Sequence, residues 1–323
     1  MEAIRYGEEA YKKMFTRDAL FRNQIRKKVD YTDAEIKVAV KRNRMNLKLG
    51  FLFAAEKEEI NNLYTLLKKG MPFDTLLSGR EEYEEQKEGM EVVYGDISPA
   101  IEDDVYGLKE KQFTKPLQAP EGWYIFYLYS TTMQNDLSMQ DNLKAAEKVL
   151  KSRKEAVIYN EYYTTFLKDK SFTVNGPVLK TLAAKLAAAF GNMKTVFALD
   201  DTVQFRLYSK FAVHLLDSYS AKELEAKAID FTGGSFTLKN LILQFAFDLT
   251  PFDGVTPDTL YPQLVRKIRS LAELEMFAME GQRLGYDKLP EVVKETAERK
   301  DNYLFQALQN KFIDSAAVDE KEI

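Results

Sequence analysis

The 323 residues include no cysteine, one histidine and one tryptophan. Without thiols there are no disulfides, no thiol nucleophile and no cysteine-based zinc site. A lone histidine argues against a Ser-His-acid triad. No metal or other cofactor is expected. No apolar run approaches the ~18 residues of a membrane span. The opening "MEAIRYGEEAYKKMF" is charged and amphipathic, unlike the apolar heart of a signal peptide. Charge of one sign is also missing: 46 Lys and Arg against 50 Asp and Glu leave −4. A basic cluster between Lys12 and Arg44 is interleaved with apolar residues at helical spacing. It reads as solvated helix faces, so nucleic acid is not an expected partner. What remains is a globular balance, 45% hydrophobic and 30% charged, in a chain long enough for two domains.

Residues 2–15 and 17–29 read as two helices. Thr32 with Glu35 forms a capping box and starts a third. "MNLKLGFLFAA" is β-rich. "EKEEINNLYTLLKKG" carries Ile60, Leu63, Leu66 and Leu67 on one stripe and stops at Gly70. A short helix starts at Pro72, and "REEYEEQKEG" is helix or loop. A strand at "EVVY" precedes a helix capped by Ser98 with Pro99 at its first position. "FTKPLQ" and "GWYIFYLYS" are strands either side of the turn "APEG". Strand, helices, strand, helix and two strands make a small α+β domain with an antiparallel sheet.

The expected organisation is therefore a helical segment, 1–45; the α+β domain, 46–131; a long connecting helix, 132–170; and a second, mainly helical domain, 171–323. In that last domain 177–190 is an Ala/Leu-rich helix and 193–225 is expected to be mostly helical. A hairpin near 228–237 turns at Gly233-Gly234, and Thr237 caps a helix. Long helices follow at 256–284 and 287–315. "LFRNQIRKKVDYTDAEI" near the start and "LFQALQNKFIDSAAVDEKEI" at the end share a pattern. The repeat suggests a piece of a longer protein, with a second module downstream.

Residues 46–131 resemble the parvulin (PpiC-type) peptidyl-prolyl isomerases. Gly70, Phe73 and Leu76 in "KKGMPFDTLL" match one segment of that family. Leu108, Thr114, Pro116, Leu117, Gly122 and Trp123 match its turn and closing strand, with Lys111 where a glycine is usual. "DISPAIEDDV" resembles its pocket helix. The resemblance covers about a quarter of the chain. The flanks are similar to SurA- and PrsA-like envelope foldases, and 229–323 is similar to their helical chaperone segment. The resemblance implies a periplasmic or other extracytoplasmic folding chaperone, its export signal outside this chain. Its partners would be unfolded or nascent exported polypeptides, proline-containing ones included.

Prolyl isomerisation must cross a barrier of ~18–20 kcal/mol set by amide resonance. An enzyme lowers it by binding the twisted amide better than either planar form. By the resemblance, the apolar socket falls at Ile97 and Ile101, four residues apart on one helix face. The first-strand histidine falls at about Gly50, ahead of Phe51 and Leu52. The second falls at Tyr124, and the acid or thiol near Glu81 or Glu82. Both histidines are absent, so Tyr124 and Glu82 are at most degenerate counterparts of catalytic residues. Phe51, Ile97, Ile101 and Tyr124 are the candidate substrate contacts. The pattern favours a binding module over an isomerase. The alternatives are an active isomerase, since a tyrosine can donate a hydrogen bond, or an assembly factor for one folded partner.

His214, among Ala212, Val213, Leu215 and Leu216, reads as a packed or partly buried helix residue. "TGGSFTLK" lacks the phosphate-loop pattern. "REEYEEQKE" reads as a solvated face rather than a cation site. Aromatics are 12% of the chain, and "YNEYYTTF" and "LQFAFDL" concentrate them. A minority exposed on a concave surface would suit a binder of unfolded chains.

Overall fold

Thr16 does not break the first helix. In the computed structural model, which describes residues 2–80, 83–191, 197–199 and 202–315, α1 runs unbroken from Glu2 to Gln24. The Thr16 hydroxyl donates to the Lys12 carbonyl at 2.7 Å, a bond a helical threonine makes without ending its helix. The two helices expected here are thus one, followed by a short 3₁₀ turn, Arg26–Lys28. Helix α2 (Asp33–Asn43) starts where the capping box places it. The Glu35 amide donates to Thr32 Oγ1 at 3.2 Å, and the Thr32 amide to Glu35 Oε2 at 2.8 Å.

The chain forms two compact units, Val29–Asn160 and Met1–Lys28 with Glu161–Ile323. After α2, the first unit continues through β1 (Met45–Ala54), α3 (Lys57–Lys68), α4 (Phe73–Leu77), α5 (Tyr83–Gln86), β2 (Met90–Val92), α6 (Pro99–Tyr106), β3 (Leu117–Ala119), β4 (Gly122–Met133) and the start of α7 (Met139–Leu167). Its sheet has the order β2-β1-β4-β3, with every neighbour antiparallel. The tight β3–β4 turn needs Gly122. A Cβ there would lie 2.6 Å from a Phe53 ring carbon and 2.7 Å from the Ala54 carbonyl oxygen.

Side chains alternate across the sheet. On one face Leu52, Ala54 and Ile125 pack under Ile60 and Leu67 of α3 and Phe73 and Leu77 of α4. On the other, Leu47, Leu49, Leu117 and Leu128 pack with Ile97, Ile101 and Val105 around α6. Each fully buried leucine contributes about 1.5–3 kcal/mol relative to exposure. The fold is α+β, and this unit has the expected order of strand, helices, strand, helix and two strands.

The second unit adds β5 (Phe172–Val174), α8 (Gly176–Gly191), β6 (Phe197–Leu199), β7 (Thr202–Arg206), α9 (Ser209–Asp217), α10 (Ala221–Leu224), β8 (Lys227–Phe231), β9 (Gly234–Thr237), α11 (Leu238–Phe247), β10 (Pro251–Asp253), α12 (Pro257–Arg283) and α13 (Pro290–Ser315). Two three-stranded sheets, β5-β8-β9 and β10-β7-β6, sit in a mainly helical body. The described residues of 193–225 are therefore not mostly helical: β6 and β7 pair with each other, and β10 joins β7. The alternation in "TVQFR" carries that strand, and Phe205 and Phe252 bury in the main core with Phe190, Phe245, Ile229 and Leu264. Helix α1 crosses α12 closely, since a Cβ on Gly281 would lie 2.6 Å from Thr16 Cγ2. His214 lies on α9 and is exposed, not packed as its neighbours suggest.

Candidate functional site

Period-two alternation in "FLF" and "YIF" brings four rings to one face of the first unit's sheet. Phe53 stands opposite Tyr124 and Phe51 opposite Phe126 in the β1–β4 register. The Tyr124 ring centroid is 5.5 Å from Phe51, 5.0 Å from Phe53 and 5.7 Å from Phe126. Phe51 and Phe126 are 6.2 Å apart. All four are half-buried, so part of each side chain stays accessible to solvent. Phe51 and Tyr124 are thus brought together as the sequence implies. Phe53 and Phe126 complete the patch, and the alternation alone could have found them.

Ile97 and Ile101 have a different role. Each is 8% exposed and packs with Leu47, Leu49 and Leu128 in the core that holds α6 on the sheet. Phe126 packs against the same core, so the isoleucines support the patch from beside it. Glu82, and Glu81 beside it, lie outside the described residues.

Gly50 faces the opposite side. A Cβ there would sit 2.8 Å from Phe73 Cε1 and 3.0 Å from Tyr129 Cε2. A histidine on the patch side of β1 would have to replace Phe51 or Phe53, not Gly50.

Two side chains that sequence reasoning missed hold the free edge of β1, where β2 pairs only with Leu47–Leu49. The Phe51 amide donates to Gln86 Oε1 at 2.7 Å. Arg80 donates to the Phe53 carbonyl. On β4, the Phe126 amide donates to Thr114 Oγ1 at 3.0 Å, and the Thr114 amide donates to the Phe126 carbonyl at 2.9 Å. Lys111 adopts φ 65°, the left-handed conformation that explains a glycine preference at its position.

Burial, and then the hydrogen bond to Glu121, push the Tyr124 phenol up to about 12. The hydroxyl is neutral near pH 7 and donates to Glu121 Oε1 at 3.0 Å. The patch therefore offers ring faces and one donor–acceptor pair, and none of its four residues is a base at neutral pH.

A carboxylate fixes α6 from behind. Glu102 is buried and receives Arg153 at 2.8 and 2.9 Å and Arg42 at 3.0 Å. Arg153 also donates to the Ile97 carbonyl at 2.9 Å and lies 4.8 Å from the Tyr94 ring centre. One acid thus joins α6 to α2 and α7. Among the described residues no cluster of three or more His, Cys, Asp or Glu could hold a metal ion, and no helix is long and apolar enough to cross a membrane.

No family model and no curated protein matches the chain. Among solved structures it is similar, over part of its length, to parvulin-type foldases. A PrsA peptidylprolyl isomerase from Bacillus anthracis shares 18% identity at TM-score 0.34, covering 48% of this chain and 69% of that one. A PpiC-type isomerase domain shares 15% at TM-score 0.25, covering 28% of this chain and 94% of that one. A SurA-like chaperone from Campylobacter jejuni shares 14% at TM-score 0.26, covering 46% and 66%.

Proposed function

We propose that this protein is an extracytoplasmic folding chaperone of the parvulin type. In this reading its isomerase-like module has exchanged catalysis for binding. The observation that carries the proposal is the four-ring patch of Phe51, Phe53, Tyr124 and Phe126. Rings that are half-buried in the free protein can gain apolar contact with an extended chain while reading little of its sequence. The clients are unfolded or nascent exported polypeptides, including proline-containing ones.

The absence of imidazole from the patch supports the non-catalytic part of the proposal. A twisted prolyl amide would meet apolar rings and the phenol of Tyr124, which is already engaged by Glu121. The test is suppression of aggregation of several unrelated unfolded proteins, with Phe51→Ala/Tyr124→Ala as the comparison. Suppression that depends on the two rings supports the proposal. Capture of a single folded partner, with no effect on unfolded chains, opposes it.

A further inference from the structure

The second unit contains a cleft between α1, α11 and α12. Two adjoining hollows of about 100 and 240 Å³ share Ala10, Lys13, Phe236, Gln244 and Glu275. Most polar groups there are already paired. Lys13 Nζ lies 2.7 Å from Glu275 and 3.4 Å from Glu9. Tyr6 donates to Gln244 Oε1 at 2.6 Å, and Gln244 Nε2 donates to Asp248 Oδ2 at 2.9 Å.

Arg17 is the exception. It is half-buried on the wall of the larger hollow and makes no hydrogen bond or ion pair with any described residue. Burial lowers its pKa, and the fields of Glu275, Asp18 and Asp248 only partly oppose that. Asp248 is solvent-exposed at the mouth, yet its neighbours shield the carboxyl enough to raise its pKa against the pull of Gln244 and Arg17. Its Oδ1 bonds to no described residue.

The cleft therefore offers unused donors and an unused acceptor. Its charged residues are Lys13 and Arg17 against Glu9, Asp248 and Glu275, an excess of one negative charge that disfavours an anion. The remaining wall is apolar, from Met14, Phe247, Leu271 and Leu274. A peptide amide fits this pattern: its carbonyl accepts from Arg17, its N–H donates to Asp248, and the attached side chain covers the apolar wall.

We propose that this cleft binds one backbone amide of an extended polypeptide together with one apolar side chain. The ligand class is that of the client-binding reading, on which the proposal to that extent rests. The site is separate from the aromatic patch.

N-acetyl-leucine methylamide is the probe, titrated into the full chain and followed by amide NMR shifts. The expected result is shifts centred on Ala10, Met14 and Phe247, with binding weakened about tenfold or more in Arg17→Met. Asp248→Asn provides a second variant should Arg17→Met fail to fold, and it too weakens binding. N-acetyl-leucinate, the carboxylate analogue, binds more weakly than the methylamide. Tyr124→Ala removes only shifts at the aromatic patch and leaves those at Ala10, Met14 and Phe247 unchanged, so failure of the patch reading stays distinguishable. Absence of shifts at Ala10, Met14 and Phe247, tighter binding of the carboxylate there, or unaltered cleft affinity in a folded Arg17 or Asp248 variant would overturn the proposal.

Discussion

The Tyr124 hydroxyl donates to the Glu121 carboxylate at 3.0 Å, three residues back along the same hairpin. The bond is solvent-exposed, so its net worth is about 0.5–1.5 kcal/mol. The tyrosine's ring contacts with Phe51, Phe53 and Phe126 are independent of it. Tyr124→Phe should therefore keep client affinity within about twofold, because less than ~0.5 kcal/mol of binding depends on an already engaged hydroxyl. Tyr124→Ala should weaken affinity about tenfold through loss of aromatic contact. Fluorescence anisotropy with a labelled unfolded client distinguishes the two.

Gly50 and Phe51 are neighbours with opposite tolerances. Gly50→Ala forces a Cβ against Phe73 and Tyr129, and overpacking of this kind costs about 1–3 kcal/mol. Gly50→His should be worse still. Phe51→His points into the patch and should fold. Urea denaturation of the three variants, followed at Trp123, checks the order.

Glu102 is 3% exposed and bound by two arginines. Glu102→Ala leaves the partly buried Arg153 with no carboxylate partner among the described residues, and Arg42 with Asp103 alone, and should cost about 3–5 kcal/mol. Glu102→Gln keeps the shape and should cost less. Because Glu102 lies on α6, and Arg153 also holds the Ile97 carbonyl just before that helix, the alanine variant should also lower hydrogen-exchange protection in α6. Chemical denaturation and exchange measurements test both effects.

The acid side of stability has a marker at the start of α2. Lys154, and then the Thr32 amide, hold the Glu35 carboxyl below its ordinary 4.5, at about 2. A depressed acid binds fewer protons folded than unfolded. Its contribution is complete above about pH 4.5 and is lost as pH falls toward 2. A carbon-detected titration of Glu35 should show a midpoint near 2. Lys154→Met should move it upward.

The local elements of the first unit were legible because their signals are local. The capping box at Thr32 and Glu35, the stripe in α3, the proline at the start of α6 and the turn at Gly122 each rest on a few neighbouring residues. The Thr16 region was misread because one threonine inside a helix looks like a boundary until its bond to Lys12 is seen. Strands β6, β7 and β10 are short: β6 pairs locally with β7, and β10 is distinguished from loop only by its long-range pairing with β7. The sequence singles out Tyr124 and Phe51, and the β1–β4 register sets their rings side by side. The edge supports Gln86 and Arg80 were not, because their partners lie 35 and 27 residues away. Gly50 was assigned to the histidine position by its place in the chain, but strand alternation puts it on the other face.

The central claim is that the patch binds without catalysing isomerisation. Exchange NMR on a proline-containing peptide, with protein added at concentrations that also suppress client aggregation, tests it most directly. The expected cis–trans exchange rate equals that of the peptide alone, in wild type and in Tyr124→Phe alike. An enhanced rate that Tyr124→Phe or Ile101→Ala abolishes would contradict it.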